Sequence, residues 1–378
     1  MANKKRFELF THNIKGWYSL SAIEKRNCRY SIIMGQKSNG KTFSVLKKIM
    51  SDYIKKGKQS FYIRRYNEDL RSKAIGTLFA KGNLYDLLKG TEWTFVDYYN
   101  SAFYMAYIDE KGKTVRDIKP FCFTGSLNNA SHISGTHYPS ENIYTIFFDE
   151  FLTRSFYLVN EFQVFEHMIS DIVRQYDIAR IYMVGNTVDW DCPYFREMNI
   201  YKAETMQLGE IRVYDHGEGT TIAIEYADGK GLHLNSNVYF AGFDNPALRM
   251  ITHGSWEIPS YPHIPDEYYK HKTKGNVFIT YGNKVVHGDI FKYKGGLAIY
   301  FHDKTTIIRV DKKHDLVLGE NILEYYPNME YNLLKPTTRL GLLVLKCFNE
   351  GRVFYQDNFI GEYVNNYLKY CHTINVIK

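Results

Sequence analysis

Gly35-Gln36-Lys37-Ser38-Asn39-Gly40-Lys41-Thr42 decides the fold of this chain. The eight residues match G-x-x-x-x-G-K-[ST], the phosphate-cradling Walker A loop. Each residue type has a physical reason to be there. Gly35 and Gly40 carry no Cβ, so the backbone turns tightly and can approach a phosphate. The loop residues Gln36, Lys37, Ser38 and Asn39 offer consecutive backbone N–H groups, an anion nest at the positive end of the next helix. Lys41 is placed to reach the β- and γ-phosphates, and the Thr42 hydroxyl to ligate Mg²⁺. The flanks agree with this reading. Residues 30–34 (YSIIM) predict a short buried strand entering the loop. Residues 43–56 predict an amphipathic helix leaving it, with Phe43, Leu46, Met50 and Ile54 on one face and Gly57 at the C-cap.

The second decisive stretch lies about a hundred residues downstream. Residues 143–151 (IYTIFFDEF) are an apolar strand ending in two acids, the Walker B pattern. Asp149 is expected to hold Mg²⁺, and Glu150 to act as the general base that polarises the attacking water. Residues 178–184 predict a further buried strand ending in Gly185-Asn186. Asn186 is placed either to sense the γ-phosphate and orient water or simply to form a turn.

Around these motifs the pattern alternates between strand and helix. Residues 59–66 (QSFYIRRY) predict a strand closing on two arginines, and 67–88 read as mainly helical. Residues 93–98, 103–108 and 120–124 read as short β segments, with a polar turn at 109–113 where Gly112 supplies positive φ. Residues 125–142 read as a polar loop, 156–175 as a helix and 187–226 as mixed segments. Residues 227–270 are turn-rich. From 276 onward strands dominate, at 277–281, 284–291, 297–302 and 305–310, followed by helix, strand and helix at 337–349, 353–356 and 358–371. The expected division is 1–226, 227–270 and 271–378, an α/β domain joined by a linker to a small α+β domain.

Composition narrows the class. The chain has 378 residues, 44% hydrophobic and 16% aromatic, with a net charge of +7. That content supports a packed core and argues against long disorder. The mild basicity suits a polyanionic partner. The five cysteines lie far apart with no C-x-x-C pair, so they indicate neither a zinc site nor a disulfide framework, and a reduced, cytoplasmic setting is expected. No apolar run is long enough to span a membrane, and the N-terminus does not read as a signal peptide.

The order GQKSNGKT, SFYIRRY, IFFDEF, MVGNTVDWDCPYF resembles the DNA-encapsidation ATPases of phi29-like phages over roughly residues 30–200. The resemblance implies a RecA-like P-loop ATPase domain, a linker and a degenerate RNase H-like nuclease domain. It also implies an ATP- and Mg²⁺-dependent motor that packages double-stranded DNA. Its partners would be the phage portal or connector, the prohead and, in this group, a structural packaging RNA. The expected assembly is a homo-oligomeric ring, a pentamer by resemblance, in the host cytoplasm and transiently at the capsid portal vertex, with no membrane. The family's trans-acting arginine finger falls on Arg174, with Arg154 a second candidate at a subunit interface. Lys37 stands where these ATPases often carry arginine. Two other readings compete: a terminase-like ATPase with an active nuclease, and a non-hydrolysing nucleic-acid- or capsid-binding protein with a relic P-loop. The first needs clustered carboxylates. Residues 277–281 contain none, and Asp289, Asp303, Asp311 and Asp357 read as scattered.

Overall fold

The computed structural model describes residues 8–11, 17–71, 73–80, 82–134, 136, 138–153, 157–187, 192–228, 261–270, 272–281, 284–303, 315–319 and 328–376. The chain forms two compact units. The first comprises Met1–Arg154, Asn160–Trp190 and Ile200–Trp256; the second comprises Ser155–Val159, Asp191–Asn199 and Glu257–Lys378.

The strands of the first unit are β1 (Glu8–Thr11), β2 (Tyr30–Gly35), β3 (Gln59–Arg64), β4 (Phe95–Tyr99), β5 (Ala102–Ile108), β6 (Thr114–Arg116), β7 (Cys122–Ser126), β8 (Ile143–Asp149), β9 (Arg180–Asn186), β10 (Glu210–Asp215) and β11 (Thr221–Ala227). They form one sheet in the order β1-β10-β11-β2-β9-β8-β3-β7-β5-β4, with β6 on β5. The stretch from β11 to β7 is entirely parallel. Parallel strands are covered on both faces and so read as continuous apolar runs, as β2 and β8 do. Phe147 joins the core beneath the helix Lys41–Lys56, while Phe148, one residue on, stacks on Phe165 of the helix Glu161–Val173 with centroids 5.6 Å apart.

The helix Lys41–Lys56 buries Val45, Leu46, Ile49 and Met50. The expected stripe is rotated by about one residue: Phe43 and Ile54 only flank this core. The helix stops at Gly57, which takes φ 65° and lets its N–H bond back to Tyr53 O. The 109–113 turn forms as expected, with Asp109 Oδ1 accepting from Lys111 N and Lys113 N at 2.9 and 2.8 Å. The expectation of mainly helix over 67–88 holds in short pieces: Asn67–Arg71 is α-helical, and Ile75–Ala80 and Leu84–Leu88 are 3₁₀ helices. Gly82, between the last two, sits at φ 60°. Strand β11 was hidden inside the mixed-looking 187–226 segment because a buried acid interrupts it. Glu225 is fully buried and accepts from Tyr18 Oη at 2.7 Å, and burial pushes its carboxyl up to about 7.

In the second unit, β12 (Gly275–Tyr281), β13 (Lys284–Tyr293), β14 (Gly296–His302), β15 (Asp315–Gly319), β16 (Met329–Glu330) and β17 (Val353–Tyr355) form a sheet ordered β16-β15-β12-β13-β14-β17. β12, β13 and β14 are antiparallel; β15, β16 and β17 add in parallel. The β13–β14 turn is Lys294-Gly295, both at positive φ, the two-residue hairpin geometry. The helices Arg339–Asn349 and Asn358–Val376 cover one face, contributing Val344, Cys347, Ile360, Val364 and Tyr367 to its core. Thr338 caps the first of them, its hydroxyl accepting from Gly341 N at 3.0 Å. The expected strand at 305–310 lies outside the described residues. Asp289 lies beside His287 and His302, and that group contains no second carboxylate. Among the described residues no helix is long and apolar enough to cross a membrane.

Candidate active site

The Walker A and Walker B elements meet because β2 and β8 both flank β9. Gly35 pairs with Asn186 across β2–β9, and Asp149 with Val184 across β8–β9. The carboxyl ends of three strands therefore deliver the loop, the amide and the acids to one edge of the sheet. A cleft of about 670 Å³ opens there, lined by 37–43, Arg64, Asp149, Glu150 and Asn186 among others. Gly40 adopts φ 97°, and a Cβ on it would stand 3.0 Å from the Trp17 ring. Both the turn and the packing thus exclude a side chain.

Thr42 Oγ1 donates to Asp149 Oδ1 at 2.9 Å, joining the two motifs directly. Tyr62 Oη donates to Asp149 Oδ2 at 3.1 Å, and Arg64 Nη1 lies 3.5 Å from the same oxygen. Burial raises the Asp149 carboxyl above its ordinary value, opposed chiefly by Arg64. Glu150 is half exposed and bonds Arg64 Nη2 at 2.7 Å. Its backbone is held at φ 60°, a left-handed conformation costly for a side-chain-bearing residue.

The next arginine stabilises that turn. Arg65 Nη1 donates to Glu150 O at 3.1 Å and Nη2 to Phe151 O at 2.5 Å. Its guanidinium also bonds Glu161 through Nε at 2.9 Å, and both side chains are buried. Sequence reading noted the double arginine without giving either residue a role, and missed Tyr62 and Glu161 altogether. The only local signal was that two cations end a strand facing two acids.

Lys41 is buried, with Nζ donating to Gln36 O at 2.5 Å and Asn39 Oδ1 at 3.0 Å. Burial lowers its pKa to about 7, and Asp149 only partly opposes the shift. The Asn39 Nδ2 group is buried with no hydrogen-bond partner. A buried ammonium on neutral oxygens beside an orphaned amide donor is a site short of an anion. A polyphosphate would supply that anion, and the Thr42 hydroxyl and Asp149 carboxylate are hard oxygen donors of the kind Mg²⁺ takes. The residues fit both groups.

Lys41, Thr42, Asp149, Glu150 and Asn186 are thus assembled in one cleft. Arg174 is elsewhere: it caps the C-terminal end of the helix Glu161–Val173 at φ 48°, and its Nη2 donates to Thr136 O at 3.4 Å. Arg154 lies outside the described residues.

The sequence model of the podovirus DNA encapsidation protein (Gp16) family matches residues 16–216. No curated protein sequence matches the chain. Among solved structures, it is similar to the bacteriophage Phi-29 viral genome packaging motor assembly, at 16% identity and TM-score 0.59 over 93% of this chain and 98% of that one. The Phi-28 gp11 DNA packaging motor is also similar, at 15% identity and TM-score 0.56 over 94% and 98%. At these identities the structural likeness concerns the fold.

Proposed function

The chain belongs to the podovirus DNA encapsidation protein (Gp16) family, and from that premise we propose that it is the ATP-hydrolysing subunit of a motor that drives double-stranded DNA into an empty capsid. The observation that carries this reading is the direct Thr42–Asp149 hydrogen bond within a cleft that also holds Lys41 and Glu150. A relic P-loop has no reason to keep all four groups in register.

The roles follow from the chemistry of each side chain. The Walker A amides and Lys41 bind and orient the β- and γ-phosphates. Thr42 and Asp149 would hold Mg²⁺, which would supply charge neutralisation at the phosphate oxygens. Glu150 accepts the proton of the attacking water, which requires its carboxylate to turn from Arg64 toward the cleft. Asn186, at the end of the central strand, orients that water or reads the γ-phosphate. Arg174, outside its own cleft, acts on the site of a neighbouring subunit in a closed ring, pentameric by resemblance. DNA is gripped through its phosphates, so binding is sequence-independent and salt-sensitive. The portal, the prohead and a packaging RNA are the remaining partners, and the protein works from the host cytoplasm at the capsid portal vertex.

The second unit is proposed to be an RNase H-like domain without nuclease activity, retained for docking. The antiparallel run β12–β13–β14, extended in parallel by β15 and β16, supports the fold. The absence of Asp and Glu from β12 supports the loss of the nuclease.

Phosphate release with and without double-stranded DNA tests the proposal. DNA-stimulated turnover is expected from the wild type and not from Lys41→Ala; equal rates from both would return the chain to the binding-protein reading. Mixed rings of Arg174→Ala and Glu150→Gln subunits should recover partial activity, and verified mixed rings with none would remove the trans role.

A further inference from the structure

The second unit carries a side-chain cluster that DNA packaging does not use. His287 and His302 are direct cross-strand partners in β13 and β14, and Asp289 lies two residues along β13. Because side chains alternate along a strand, all three share one face of the sheet, opposite the helix-covered core. The donor atoms lie within 4.8 Å of one another. His302 Nε2 is 3.1 Å from Asp289 Oδ2, and His287 Nε2 is 3.8 Å from Asp289 Oδ1. A tetrahedral ion bound at about 2.0–2.2 Å sets its donors ~3.3–3.6 Å apart. The two His–Asp spacings bracket that edge, and with all three donors within 4.8 Å the rings must draw inward to close the site.

We propose that His287, Asp289 and His302 bind one divalent cation of the zinc class, through two imidazole nitrogens and a carboxylate oxygen, with the fourth position open. The surroundings are those of a supported metal centre. Tyr268 Oη donates to Asp289 Oδ2 at 2.7 Å, fixing the carboxylate. His302 Nδ1 is 3.3 Å from the Asp303 carbonyl oxygen, an acceptor that favours the tautomer whose Nε2 is free to ligate. On the other ring, His287 Nε2 donates to Asn276 Oδ1 at 3.0 Å, with Asn276 itself oriented by Asp315 at 2.7 Å, so this hydrogen bond must open for Nε2 to ligate. His287 is buried and packed against Phe278, while His302 and Asp289 keep 16% and 12% side-chain exposure, enough for an ion to enter.

Two imidazoles select against Mg²⁺ and Ca²⁺, which take oxygen ligands, and favour a borderline metal. The ion would tie the β13–β14 hairpin to the Asp266–Lys270 turn through Tyr268, whose ring packs on Phe291 and Tyr300. This role is structural and independent of the nucleotide site. The residues differ from a nuclease's clustered carboxylates, so the inference does not rest on ATP hydrolysis.

The test is direct metal binding by the full-length protein after chelator treatment. Zn²⁺ titration against a chromophoric chelator should give one site per chain that excess Mg²⁺ does not displace. His302→Gln and Asp289→Asn should lower affinity by more than about 100-fold, and Tyr268→Phe, which keeps the packed ring, by ~10–100-fold. Co²⁺ should give visible d–d bands without the thiolate charge-transfer absorption that a cysteine ligand produces. A wild type that binds less than one Zn²⁺, or binding that all three variants leave unchanged, overturns the proposal. The cluster would then be an imidazolium–carboxylate pair holding only protons.

Discussion

Nucleotide binding should draw a proton from solvent, because Lys41 waits in a dry site. Burial lowers its pKa from 10.5 to about 7, with Asp149 giving partial relief. At pH 8 only about one empty site in ten then carries the charged lysine. Anionic oxygens against Nζ raise the pKa again, so the bound lysine is charged. Binding should take up ~0.9 proton per site at pH 8 and ~0.1 at pH 6. The bound-state pKa lies above the free one. Affinity is therefore full below pH 7 and falls as pH rises past 7, by up to tenfold per pH unit, about 1.4 kcal/mol, until the bound-state pKa is reached. Titration calorimetry with a non-hydrolysable ATP analogue and Mg²⁺, in two buffers of different ionisation enthalpy, counts the protons. Lys41→Arg is permanently charged and supplies the control without uptake. Uptake near zero at pH 8 in the wild type, or equal uptake in Lys41→Arg, refutes the reasoning.

Glu150→Gln should bind nucleotide normally and lose turnover by ~10²–10⁴-fold, since only proton acceptance is removed; single-turnover phosphate release measures it, and near-normal rates would exclude the role. Glu161→Ala leaves Arg65 charged and buried, so it should destabilise the first unit by ~3–5 kcal/mol, seen as a lower calorimetric midpoint. Gly57→Ala meets no atom within 4 Å, so its cost of ~1–2 kcal/mol should come from the left-handed backbone alone, and Gly57→Asn should recover part of it in the same melting assay.

What the sequence disclosed depended on how far apart the cooperating residues lie along the chain. The Walker A loop is eight consecutive residues, and the Walker B acids end a single apolar strand, so both were legible. Arg65 and Glu161 are separated by 96 positions, and nothing local marks them as partners. Strand β11 was obscured by Glu225, whose burial depends on Tyr18, 207 positions away. The stripe on the helix Lys41–Lys56 was misplaced because Phe43, at the first turn, packs beside the core rather than in it. In the second unit the spacing His287-x-Asp289 put both side chains on one strand face, but His302 joins them only through the hairpin register.

The position of β2 in the sheet also governs when the site can exist during synthesis. Its two neighbours are β9 and β11, whose residues 181–186 and 222–227 pair with residues 30–35. At ~5–20 residues per second, the 192 positions separating Tyr30 from Ile222 take about 10–40 s to translate. Until β9 emerges the YSIIM segment has both hydrogen-bonding edges unsatisfied, and until β11 follows one of them stays open, a template for wrong pairing. A pulse-labelled nascent chain should therefore become protease-resistant around residues 30–35 only after Ala227 has cleared the exit tunnel. Chains stalled between β9 and β11 should be the aggregation-prone species.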